Sequence, residues 1–178
     1  MQVLLDICDE RIIVLLMSDM ACCGDAMRED ITSVDVLRGI NLKQARLLLD
    51  QSIEHARHLA LPAMAVVILD SGGYVKASVT EDGASTLRHS IAEGKANAAL
   101  AMGMNSSQFD HLLKQGVLSE AFSASLTAAA NGRFNPNSGG LLLRYKGALI
   151  GAMGASGASA EQDEVLLKSV LQRNKIFI

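Results

Sequence analysis

Tryptophan is absent from this chain, and tyrosine and phenylalanine number only two and four in 178 residues. Without large rings, a core must be filled by Ala, Leu, Val, Ile and Met, whose modest volumes let helices lie close on a sheet. Proline occurs only twice, so helices are rarely interrupted. No cluster of Lys and Arg appears and the net charge is −3, which argues against a nucleic-acid-binding surface. The apolar run Ile12 to Met17 is too short to span a bilayer. Asp6, Asp9 and Glu10 precede it, whereas a secretory leader needs a positive start. The expectation is a soluble, cytoplasmic protein. Cys8, Cys22 and Cys23 are odd in number and irregular in spacing, so they form no disulfide framework. With no Cys-x-x-Cys and no nearby His they suggest no zinc site, and they read as free thiols of a reducing compartment. There is no Gly-x-Ser-x-Gly elbow and no Walker loop. Gly151-x-x-Gly154-x-x-Gly157 lacks the Lys-Ser/Thr ending of a phosphate loop.

What is present is a legible order of elements. Residues 1–39 form a separate block, read as an N-terminal extension. Asn41, with Gln44 three residues on, signals a helix start. Leu42, Ala45, Leu48, Leu49, Ile53, Ala56 and Leu59 then follow one helical stripe. Met64 to Leu69 is a buried strand, Asp70-Ser71-Gly72-Gly73 a turn, and Tyr74 to Val79 the returning strand. A small-residue helix is expected from Ser85 to Met102, with Gly94 inside it at a cost of about 1 kcal/mol. Such a glycine suggests close packing. Asn105 or Ser106 caps a further helix, and Ala121 to Ala130 is helical in pattern. Leu141 to Leu143 and Ala148 to Met153 flank Lys146-Gly147, the signature of a second hairpin. The glycines of its second strand imply that a neighbouring helix, another subunit or a ligand approaches the backbone. A helix from Ala160 to Gln172 closes the chain, with Glu161, Asp163 and Glu164 at its positive end. Two hairpins joined into one antiparallel sheet and covered by helices make an α+β fold.

These pieces, in this order, resemble the GlcG/HbpS-like haem-binding (haem-degrading) family, also found as the C-terminal domain of PduO-type proteins. The resemblance covers about residues 40 to 175. It rests on Val66 to Gly73, Asp82-Gly83-Ala84, Ala92-Glu93-Gly94-Lys95-Ala96-Asn97-Ala98-Ala99, Gly139-Gly140, and Gly147 to Gly157 followed by Asp163-Glu164. It implies a profilin-like sheet with flanking helices in a domain spanning 40–178, a symmetric homo-oligomer, and haem or another tetrapyrrole as ligand. It further implies help in haem breakdown or iron handling. The alternative is a non-enzymatic accessory subunit of a glycolate, diol or corrinoid pathway. Whether any reaction is catalysed stays open.

Four histidines can serve a haem iron as axial ligand: His55, His58, His89 and His111. His89 is preferred because it lies on the family's most recognisable helix, beside Arg88, which suits a propionate. His55 follows. His55 and His58 stand three apart on a helix, close enough to share a metal ion. His111 lies on a helix of mixed polarity. Met102 and Met104 suit contact with an apolar ring. Lys95 falls at a family position, as a ligand contact or in an ion pair with Asp70 or Asp82. Asn105 stands near the place where relatives often carry a threonine, and it joins the candidate cofactor contacts.

Overall fold

Asn41 starts the first helix as its side chain suggests. A computed structural model describes residues 39–174. In it the Asn41 carboxamide accepts from the Gln44 N–H at 2.9 Å, and the Gln44 side chain accepts from the Asn41 N–H at 3.3 Å. This reciprocal cap opens α1, Leu42–His58, whose buried stripe is Ala45, Leu48, Leu49, Ser52 and Ala56. The N-terminal extension before Gly39, with Cys8, Cys22 and Cys23, lies outside the described residues.

Next come β1, Ala65–Asp70, and β2, Val75–Thr80. The Asp70 carboxylate accepts from the Gly72 and Tyr74 N–H groups and shapes the turn between them. Helix α2, Arg88–Met102, begins three residues later than its composition predicts. Residues 84–88 are drawn into turns by Ala84 N–H to Glu81 O and Arg88 N–H to Ser85 O. Helices α3, Ser106–Lys114, and α4, Glu120–Ala129, follow. The second hairpin is β3, Gly140–Tyr145, and β4, Ala148–Ser156. Its turn residues Lys146 and Gly147 have φ of 49° and 80°, the paired positive angles of a tight hairpin turn. The described chain closes with α5, Ala160–Asn174.

The four strands form one antiparallel sheet in the order β2-β1-β4-β3, so the hairpins join through β1 and β4. The central strand β1 is covered on both faces, which explains its unbroken apolar run. Val66 and Ile68 point with Met153, Leu141 and Leu143 towards α1 and α5. Val67, Leu69 and Ala152 point the other way, towards Ala92 and Ala96 of α2. Two of the scarce rings lie beside this second layer. Phe109 and Phe134 meet edge to face at 5.4 Å under Ala98. Among the described residues no helix is long and apolar enough to cross a membrane.

Helix α2 approaches the sheet almost backbone to backbone. A Cβ on Gly154 would overlap the Ala92 carbonyl oxygen, and one on Gly140 would overlap that of Lys95. Gly94 makes similar room on the outer side, where a Cβ would stand 3.0 Å from Asn135 Cβ. Of the three approaches left open by the sequence, the neighbouring helix is the one that Gly140 and Gly154 serve. Gly154→Ala should therefore destabilise the fold by about 3 kcal/mol in urea denaturation, because the obstructing atom is backbone and cannot rotate away. Gly39→Ala, where a Cβ meets nothing nearer than 3.5 Å, should change stability little.

Candidate ligand-binding site

Lys95 is a buried cation of the interior. Its side chain is 4% exposed, and its Nζ donates to Asp163 Oδ2 at 2.8 Å and to the Ala155 carbonyl at 3.0 Å. Asp163 Oδ1 also accepts from the Ala158 N–H at 3.0 Å. The sequence suggests Asp70 or Asp82 as the partner of Lys95, and the structure corrects this to Asp163. The reason is topological. Asp70 is occupied in its own turn, whereas the end of β4 carries Asp163 at the start of α5 beside α2. The Lys95 ammonium thus spends its bonds within the fold.

Asn105 is also bonded within the fold. Its Oδ1 accepts from the Leu142 N–H at 3.0 Å, and the Ser106 hydroxyl accepts from the Gly140 N–H at 2.8 Å. Both N–H groups lie on the outer edge of β3, away from β4. The start of α3 therefore closes a sheet edge that would otherwise stay open to other strands.

The histidines do not converge. His55 lies on α1, on one face of the sheet, and His89 lies half-buried in the first turn of α2, on the other. Arg88 donates weakly to the Ser156 hydroxyl at 3.4 Å. The Arg173 guanidinium stands 3.3 Å from His55 Nδ1 and can only donate, so that nitrogen accepts. Partial burial holds the His55 pKa below its usual 6.5, with the charges of Arg173 and His58 adding to the effect. His58 points to Glu54 at 3.7 Å and is largely exposed. Among the described residues no three His, Cys, Asp or Glu side chains gather as a metal site.

Among the described residues, a groove is lined by side chains suited to a ligand. It lies between α3 and α5, is open to solvent, and encloses about 680 Å³. From α3 and the residues just before it come Met104, Ser107, Gln108, His111 and Leu112, and from α5 come Glu164 and Lys168. The first group recurs at spacings of three and four, hence on one helical face. Glu164 is buried. Its Oε1 accepts from the Ser107 hydroxyl at 2.8 Å and from Lys168 Nζ at 2.5 Å. Its Oε2 is also buried but has no hydrogen-bond partner among the described residues, a condition shared there only with Asn97 Nδ2. In the sequence Glu164 reads as a helix-dipole carboxylate, and Lys168 does not stand out. Their four-residue spacing is nevertheless a visible signal of an ion pair. Their position opposite His111 is not visible, because it depends on how two helices distant in sequence pack.

Two measurements test this local chemistry. Lys95→Met should leave the Asp163 carboxylate buried and uncompensated, lowering unfolding free energy in urea by about 3–5 kcal/mol, and pairing it with Asp163→Leu should recover part of that loss. The lowered His55 pKa means that the unfolded chain takes up this proton more readily than the folded one. The contribution is complete above 6.5 and declines as pH falls from 6.5 towards the lowered value. His55→Gln should flatten that part of the stability–pH curve, and an unchanged slope would count against this assignment.

Comparison with known proteins places the architecture. No match is found among curated proteins. A solved PduOC:heme complex is similar over 75% of this chain and 94% of its own, with 25% identity and a TM-score of 0.66. The Klebsiella pneumoniae protein ORFY matches over 75% of this chain and 88% of its own, at 24% identity and a TM-score of 0.66. A double mutant of Streptomyces reticuli HbpS matches over 76% and 86%, at 21% identity and a TM-score of 0.63. The model of the family described as haem degrading protein HbpS-like matches residues 40–172. This match spans most of the chain, which belongs to the HbpS-like family.

Proposed function

We propose that this protein binds haem. The observation that carries the reading is its similarity to a PduOC:heme complex across nearly the whole length of that relative, beside the match to the haem-degrading HbpS-like family model. The residues present fit such a ligand. Histidine imidazoles and a methionine thioether are haem-iron donors, and an ammonium or guanidinium suits a propionate. The groove between α3 and α5 offers the first two in His111 and Met104, an apolar wall in Leu112 and a cation in Lys168. Its volume falls within the range of roughly 300–1,000 Å³ usual for small-molecule sites. When bound, haem would supply a redox-active iron, and the chain would supply its ligation, its orientation and the polarity around it.

The contacts expected from sequence divide under this reading. We assign Lys95 and Asn105 to support of the fold, since their polar atoms already bond to Asp163, Ala155 and Leu142. Arg173 crowds His55 with positive charge, which opposes a metal ion at the His55–His58 pair. His89, with Arg88 beside it, is the remaining expected ligand and gives the direct comparison for any other histidine. Haemin titrated into the purified protein should produce a shifted Soret band that saturates at a defined stoichiometry. Absence of any shift at micromolar haemin would refute haem binding.

A further inference from the structure

We infer that His111 is the residue that ligates the haem iron, with the buried carboxylate of Glu164 holding its imidazole in place. The inference rests on the haem-binding reading and goes beyond it by assigning a residue to the iron and a second residue to the first.

The unpaired oxygen comes first. A buried carboxylate oxygen without a donor costs on the order of 1–3 kcal/mol or more, and among the described residues none meets Oε2, so it can accept from a donor that arrives with a ligand. The carboxylate cannot turn freely to find one. Ser107 and Lys168 hold Oε1, which fixes the direction of Oε2. The helices then settle which donor is near. The Ser107 hydroxyl meets Glu164. His111 lies one turn beyond Ser107 on the same face of α3 and lines the groove together with Glu164.

An imidazole there has two nitrogens with two tasks. One can bind iron through its lone pair. The other then bears the proton, and its N–H needs an acceptor. A metal-bound histidine usually donates its second N–H to a carboxylate or carbonyl, which fixes the ring and raises its basicity. Glu164 lines the same groove and its Oε2 is an acceptor of this kind without a donor among the described residues. His111 is exposed and supports no core contact, so its position has no packing role to explain it. Met104 lies about one turn before Ser107 and Leu112 beside His111, giving apolar surface for the flat ring. Lys168 is half-exposed, and besides its bond to Glu164 its ammonium has two further donors for an acidic side chain of the ring.

The test uses the full chain, haemin as probe, and absorption spectra. His111→Ala should weaken haemin binding at least ~10-fold and move the Soret maximum, while His89→Ala should leave both close to wild type. Glu164→Gln keeps the shape but weakens the acceptor. It should reduce affinity about 2- to 5-fold and raise the reduction potential of the bound haem, because a less basic imidazole favours the reduced iron. Thermal melts of the haem-free variants check that each still folds. Binding by His111→Ala with wild-type affinity and spectrum would overturn the assignment and leave haem binding intact. A wild-type protein that gives no Soret shift would overturn both. An unchanged potential in Glu164→Gln would mean that Glu164 does not hold the imidazole.

Discussion

The close seat of α2 on the sheet is the constraint on which the rest of the structure depends. With so few aromatic side chains, the protein fills its second layer by bringing backbone to backbone. Gly140 and Gly154 are the two positions where that contact would fail with any larger residue. Ala92 and Ala96 complete the seat against Val67 and Leu69. Once the helix lies this low, the stem of Lys95 runs inside the fold, and its charge must be answered there. Asp163 answers it from the first turn of α5, and Ala155 adds a carbonyl. Isolated burial of that ammonium would be prohibitive, so packing and electrostatics set each other's terms.

The same seat shapes the ligand region indirectly. Helix α3 begins directly after α2, and the residues at its start bond to the free edge of β3. That contact sets where α3 stands. Ser107 then bonds to Glu164 and fixes α3 against α5. The groove is what remains between two helices whose positions are each decided elsewhere. Its lining combines one imidazole, one thioether, one cation and one unanswered carboxylate oxygen, a set with little purpose in a plain helix contact.

Much of the fold is legible in the chain because each element carries its own local signal. Asn41 and Gln44 mark a helix start, Lys146-Gly147 marks a turn, and the unbroken run in β1 marks a strand covered on both sides. Composition misplaces the start of α2, because turns at Glu81 and Ser85 capture residues that otherwise favour helix. The site is less legible. Lys95 visibly needs a partner, but the candidates close to it in sequence are turn residues, while Asp163 lies 68 positions along the chain. Asn105 stands out for its place after the helix, although its bond to Leu142 depends on β3 arriving alongside. His111 reads only as one histidine of four. Nothing local distinguishes it, since its surroundings come from α5.

The Lys95–Asp163 pair ties a helix on one face of the sheet to the first turn of a helix on the other. Neither cover can lift away without stranding a charge in a dry interior. Partial opening of one layer is thereby penalised almost as heavily as opening both. The amide protons beneath α2 and α5 should then exchange with solvent through a shared cooperative event, and the domain should behave mechanically as a single closed clasp around β1 and β4.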